Sequence, residues 1–295
     1  MSMAAIILLV LKISIILSVF AIGLKATLAD CTYLFRRPAQ LLRALLSLNV
    51  VMPLFALVLT LASDIHPAVK IVLVALSVSP VPPIFPNRAF KVGGTENYII
   101  GLLAATAALS VILIPIAMKI FERVGGVPLT MRARSVFALA VTTVLLPLLI
   151  GIGVRTLAPQ LAGRIASPLA KVALLLLVAS ALPVLIGMVR PMLSLIGDGT
   201  ILGLSAFALI ALVVGHLLGG PEAANRTTLA LATASRHPAI ALAIAHTNFP
   251  EQKLAVPVVF LYLIVSGVLS GVYLAWARRH DVTHPAGETN HAVKA

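Results

Sequence analysis

Apolar stretches long enough to cross a bilayer follow one another along nearly the whole chain, separated by short segments that hold most of the charge. A spanning helix needs about 20 predominantly apolar residues. On that measure spans are expected at roughly 4–24, 39–62, 67–92, 96–118, 135–156, 168–188, 200–219, 224–247 and 255–277, with ends uncertain by a few residues. The pattern is that of an all-α polytopic membrane protein with about nine transmembrane helices. The first run, Ala4 to Gly23, lacks a basic leader and a small-residue cleavage pattern before Lys25, so it reads as a retained span. The stretch 280–295 is polar and mixed and reads as a short disordered tail.

Two spans are interrupted. The third runs as a good helix from Ile71 to Ser79 and then meets Pro80, Pro82, Pro83 and Pro86. Each proline removes a backbone donor and clashes with the preceding turn, so no helix continues through them. The eighth is apolar from Thr228 to Ala234, is broken at Ser235-Arg236-His237-Pro238, and resumes from Ala239 to Ala245. Backbone without helical hydrogen bonds is tolerated at membrane depth only where protein or a wet cavity satisfies it. Both breaks are therefore expected to line a polar cavity. Their spacing matches spans one to four with spans six to nine, which suggests an inverted-repeat transporter with two discontinuous crossing helices.

Composition agrees. The 295 residues are 60% hydrophobic and 11% charged, against roughly 25% charged in soluble domains. The net charge of +13 does not indicate nucleic acid, because the cations lie between apolar runs instead of forming a basic stripe with aromatics. Membrane topology accounts for it better: an odd number of spans ending at Arg278 and Arg279 puts the C-terminus in the cytoplasm. One loop, with Lys119, Arg123, Arg132 and Arg134, falls on the wrong side of that scheme. The single Cys31 excludes an internal disulfide and a cysteine-rich metal site.

Arg236 is the sharpest candidate. A guanidinium at midspan costs at least about 2.5–3.5 kcal/mol without a partner, and no acidic residue is expected at the centre of a span. Its partner is a set of backbone carbonyls, a helix C-terminal end or an anionic substrate. His237 either relays a proton or is a neutral structural histidine. Arg88 and Lys91 follow the first break, where they either attract an anion or satisfy the positive-inside rule. Asn49, Asn87, Thr228, Thr233 and Ser235 are polar groups for substrate or for interhelical hydrogen bonds. Lys12, midway along span one, is expected to face a cavity or a neighbouring span. Catalytic constellations, zinc-ligand spacings and phosphate-binding glycine loops are absent from the sequence, so no enzyme is expected and no metal ligand is assigned.

Phe20-Ala-Ile-Gly-Leu24, Arg37-Pro38, Val51-Met52-Pro53-Leu54, Leu145-Leu146-Pro147-Leu148, Ala239-Ile-Ala-Leu-Ala243 and Ala255-Val256-Pro257, in that order and spacing, resemble the bile acid:sodium symporter family from about Ala4 to Arg279. The resemblance implies one transmembrane transporter unit over 1–279. Its panel would comprise about 4–62 and 135–188 and its core about 67–118 and 200–277, with an organic anion bound where the broken helices cross and sodium behind it. It also implies that the chain starts one helix later than ten-span members. The family's sodium ligands in the second broken helix, Glu-x-x-x-Gln-Asn, fall here on Ala232, Arg236 and His237. A glutamine before Met-Pro falls on Leu48, beside Asn49, and further hydroxyls fall on Ile99 and Leu103. Asn87 survives with a one-residue shift.

The expected function is secondary transport of a small organic anion across the cell membrane, the inner membrane if the source is bacterial. Coupling to sodium, to protons or to no ion are the alternatives; no cofactor is expected, sodium is the ion the resemblance implies, and Arg236 is expected to stand in its place. An auxin-efflux-carrier-like permease, favoured by Pro82-Pro83, and a non-transporting membrane receptor are the alternatives.

Overall fold

The computed structural model describes residues 3–90, 94–125 and 133–281, and all regular structure among them is helical. The helices are α1 (Met3–Gly23), α2 (Leu28–Cys31), α3 (Pro38–Leu45), α4 (Met52–Ala62), α5 (Pro67–Val78), α6 (Phe85–Phe90) and α7 (Glu96–Gly125). They continue with α8 (Ala133–Ala140), α9 (Leu146–Leu157), α10 (Pro159–Leu193), α11 (Thr200–Leu218), α12 (Ala223–Ala234), α13 (Pro238–Asn248) and α14 (Ala255–Asp281). Two π-helical segments, Leu46–Val51 and Val141–Leu145, fuse α3 to α4 and α8 to α9. Each precedes a proline in the next helix, Pro53 or Pro147.

Six helical segments are long and apolar enough to cross a membrane: Pro38–Ala62, Glu96–Val124, Arg134–Leu157, Pro159–Leu193, Thr200–Leu218 and Ala255–Arg279. Leu9–Gly23 and Pro67–Val78 are shorter apolar helices. Several helices outrun the expected spans, because hydropathy marks the apolar middle of a helix and not its ends. α7 carries Lys119 and Arg123 on its last turns, where a loop was expected, while Arg132 lies outside the described residues. α10 begins directly after Ala158 and takes Arg164 and Lys171 with it. α14 continues to Asp281, into the stretch expected to be disordered, and the rest of that stretch is outside the described residues.

Helix α1 packs chiefly on α9 and α10. Gly23 and Gly151 make the first of these contacts: a Cβ on Gly151 would lie 2.5 Å from the Phe20 carbonyl and 2.7 Å from the Gly23 Cα. Small residues let membrane helices approach backbone to backbone. Gly215 does the same between α11 and α12, where a Cβ would lie 2.5 Å from the Ala230 Cα. The lipid-facing flank of α10 is a run of exposed aliphatic side chains, Leu175, Val178, Leu182 and Ile186 among them.

Aromatic contacts pair Phe207 with Tyr262 and His216 with Tyr273, so α11 and α14 run parallel, as they must if the α12–α13 pair returns between them. The start of α5 faces the end of α13, across Lys70, Val74, Ile244 and Phe249, so the two broken helices run antiparallel. The second span packs on α5 and α11, and its buried Leu48, Met52 and Ala56 belong to the same apolar cluster as α5, α11, α12 and α14. This places 38–62 beside the broken helices, although the sequence division grouped it with α1.

Gly151→Ala is expected to lower the melting temperature of the purified protein, with a penalty of about 1–3 kcal/mol for overpacking. Gly153→Ala, where a Cβ meets nothing within 4 Å, is expected to leave it unchanged.

Candidate functional site at the crossing of the broken helices

Each break leaves carbonyls without their helical donors, and the site is assembled from those carbonyls. In a continued α5 the Ser79 carbonyl would accept from residue 83, a proline. The Ala234 carbonyl would accept from residue 238, also a proline. In the π register of Leu46–Val51, Leu48 would accept from residue 53, a third proline. A buried carbonyl left unpaired costs about 1–3 kcal/mol, so donors must come from elsewhere in the fold.

Arg236 supplies two of them. Its Nη1 donates to the carbonyls of Leu48 and Ser79, both at 3.2 Å. The His237 backbone N–H donates to the Pro80 carbonyl at 3.0 Å, joining the two broken segments directly. The Ala234 carbonyl receives the Tyr262 hydroxyl at 2.6 Å and the Ser266 hydroxyl at 3.0 Å, one turn apart on α14. Ser47 and Thr233 share a hydrogen bond of 2.7 Å that holds the π segment against α12. Thr233 also donates to the Leu229 carbonyl. The C-terminal ends of α5 and α12 both point into the crossing, each bringing a partial negative charge of about one half.

Arg236 is fully buried, and among the described residues no carboxylate pairs with it. Its Nε and Nη2 have no partner, and neither have the two ring nitrogens of the buried His237. Nε and Nη2 form the edge of the guanidinium that grips a carboxylate through two parallel hydrogen bonds. α13 starts at Pro238, so the free N–H groups of its first turn lie next to that edge along the chain.

The other expected site residues divide. Thr233 is at the crossing but is committed to Ser47 and Leu229. Ser235 caps α12 and is half-buried. Asn49 is half-buried on the π segment, and it is the backbone of neighbouring Leu48 that reaches Arg236. Asn87 and Arg88 fall on α6, and their side chains lie outside the described part of the structure, as does all of Lys91. Pro80, Pro82 and Pro83 lie between α5 and α6, and Pro238 is the first residue of α13. Pro86 does not break a helix: it is the second residue of α6, where a proline's missing donor is not needed. Lys12 departs from expectation, since it is exposed on the same flank of α1 as Leu9 and Ile13.

Sequence reasoning missed Ser47, Tyr262 and Ser266. The signal for the last two was a Tyr and a Ser at i, i+4 in an otherwise apolar span. A cavity of about 240 Å³ was also missed, because its walls come from four separate helices. It is lined by Leu57, Lys70, Val74, Met118, Ile244 and Phe249, among others, and opens where α5 begins and α13 ends.

A profile of the sodium bile acid symporter family matches residues 12–191, more than half of the chain. The chain belongs to that family. No match is found among curated proteins. The family consists of transporters and not enzymes, and together with the apolar helices it makes this a multi-pass membrane protein of a transport family. The match ends within α10, so the second break and Arg236 lie beyond it.

Among the described residues no cluster of three or more acidic, histidine or cysteine side chains that could hold a metal ion is present. Leu48, Ile99, Leu103 and Ala232, on which the sequence resemblance set the family's sodium ligands, are buried apolar side chains. The carbonyls that remain are held by Arg236, Tyr262 and Ser266.

Tyr262→Phe and Ser266→Ala are each expected to lower thermal stability only slightly, because the other hydroxyl still satisfies the Ala234 carbonyl. The double variant is expected to lose more than the sum of the singles, by about 1–3 kcal/mol. Melting curves of the four proteins check this.

Proposed function

We propose that this protein is a secondary transporter of a small organic anion, which binds through its carboxylate at the crossing of the broken helices. The observation that carries the reading is the unpartnered Nε–Nη2 edge of the fully buried Arg236. A guanidinium with one nitrogen satisfied by carbonyls and a two-donor edge left open is half of a carboxylate site. The first turn of α13, which begins two residues after Arg236, adds donors and the positive end of a helix dipole. In this conformation the edge is sealed from water, so the reading requires a second conformation in which it is accessible. The cavity at the α5–α13 mouth supports that route. Val74 and Ile244 on its wall lie one to two turns from Ser79 and His237, and apolar walls with one ammonium suit an amphipathic anion.

The architecture proposed is nine crossings, formed by adding α1 and the two broken pairs α5–α6 and α12–α13 to the six long segments. Support for an inverted repeat comes from two series, α3–α4, α5–α6, α7 and α11, α12–α13, α14. In each the broken element opens with a 12-residue helix, and the two broken elements run antiparallel. The packing favours a panel of α1, α8–α9 and α10 and a core containing everything from α3 to α7 and from α11 to α14. Nine crossings would set the termini on opposite sides, and the terminal arginines favour the cytoplasm for the C-terminus.

Proteoliposomes should show saturable counterflow of labelled small carboxylates across a panel of chain lengths. Arg236→Lys keeps the charge but loses the two-donor edge, and is expected to reduce uptake at least tenfold. Absence of counterflow for every carboxylate tested would favour a ligand-binding receptor, and uptake undiminished in Arg236→Lys would remove the assigned role of the edge.

A further inference from the structure

The crossing of the broken helices is shaped for a cation as well as for an anion. Two helix C-termini, those of α5 and α12, end there, and the unwound carbonyls of Leu48, Ser79 and Pro80 turn inward. In transporters built from discontinuous helices, this kind of surface coordinates a coupling ion while the half-helix N-termini face the anionic substrate. Here the charge at that surface is Arg236. Its Nη1 lies between the Leu48 and Ser79 carbonyls at 3.2 Å from each, with no carboxylate among the described residues to share it.

We propose that this member of the family carries its coupling cation covalently: the guanidinium of Arg236 fills the cation seat formed by the Leu48 and Ser79 carbonyls, so the crossing takes no inorganic cation. Three observations support this. The seat's two carbonyls are deprived of helical donors by Pro53 and Pro83, so they require a donor or a cation whatever the substrate. Two helix C-termini carry together about one unit of negative charge, which one guanidinium offsets. The other oxygens at the crossing are already committed, Ser47 and Thr233 to each other, the Ala234 carbonyl to Tyr262 and Ser266, and the Pro80 carbonyl to the His237 N–H, so a small cation would lack the several hard oxygen ligands it needs. A tethered cation cannot dissociate on either side of the membrane. A cation gradient therefore has nothing to act on at this place, and the anion moves down its own gradient or in exchange for another anion.

This deepens the transport reading, but the occupancy of the seat is testable without transport. Melting temperatures are measured in sodium, potassium and choline chloride at equal ionic strength, for the wild type, Arg236→Ala and Arg236→Gln. Ligand binding to the folded state raises apparent stability. The wild type is expected to melt at the same temperature in all three salts. Arg236→Ala is expected to melt lower in choline and to recover by about 3 °C or more, saturably, in sodium or potassium. Arg236→Gln retains a neutral donor and most of the volume, and is expected to show the smaller response. If Arg236→Ala can be purified only with an alkali cation or added guanidinium present, the recovery is read from its yield instead and has the same meaning. A saturable, sodium-specific rise in the wild type would overturn the proposal. So would folded Ala and Gln variants that ignore all three salts, since the carbonyls would then form no cation seat. Counterflow by the wild type is expected to run equally fast in sodium and in choline, and sodium dependence there would also overturn it. Failure of counterflow altogether would sink the transport reading and leave the melting result standing.

Discussion

A proline inside a membrane span removes the donor for a carbonyl one turn earlier, and in the absence of water that carbonyl must be satisfied by some other part of the protein. Much of the arrangement at the centre of this molecule follows from that requirement. Pro83, Pro238 and Pro53 orphan the carbonyls of Ser79, Ala234 and Leu48. The replacement donors come from Arg236, from Tyr262 and Ser266 on α14, and again from Arg236. Each replacement joins elements remote in sequence. The second span, both broken helices and the last helix are thereby tied at one point by polar contacts set within an apolar cluster.

The electrostatics of that point are closely balanced. A bare guanidinium in a dry interior would carry a desolvation penalty of several kcal/mol. Two carbonyl contacts and the negative ends of α5 and α12 offset part of it. The unpartnered Nε and Nη2 show that the offset is incomplete. On the proposed reading a carboxylate at that edge would complete it, and the residual cost of burying Arg236 alone would become affinity for an anion. The same logic explains why an arginine is suited to both roles. One nitrogen can be held by the protein while the opposite edge, rigid and planar, stays available, whereas a lysine held at its one nitrogen has no second edge.

The sequence disclosed much of this through a few residues. The proline cluster at 80–86 and the Arg236-His237-Pro238 run were enough to locate both breaks, and the charge of Arg236 in an apolar span pointed to carbonyls or helix ends as its partners. The identity of those carbonyls was not legible. Leu48 acts through its backbone, so its apolar side chain gave no hint, and the π register that frees its carbonyl is a three-dimensional property of the approach to Pro53. For the same reason Asn49 looked like the better candidate. The neighbours of the second span were not legible either, because the resemblance supplied its grouping and hydropathy carries no information on which neighbour a helix chooses. That choice is made by the packing of Leu48, Met52 and Ala56 into the cluster around α5 and α11. The family profile matches 12–191 and stops before the second break, so the match carries no information on Arg236.

On the transport reading, the bodies that move against each other are constrained by where the backbones touch most closely. α1 and α9 are locked at Gly23 and Gly151, and α11 and α12 at Gly215, so neither pair can slide without separating first. The crossing is locked by hydrogen bonds to Arg236 and His237. Movement is then left to the contacts between these blocks: α2 on α7, α7 on α8 and the π segment Val141–Leu145, and α10 on α14. None of these brings a replacement donor to the proline-orphaned carbonyls, so displacing one block past the other leaves every one of them satisfied. An anion held on the free edge of Arg236 would be carried with the block that holds the crossing, and the site would change the side it faces without its tethered cation leaving its seat.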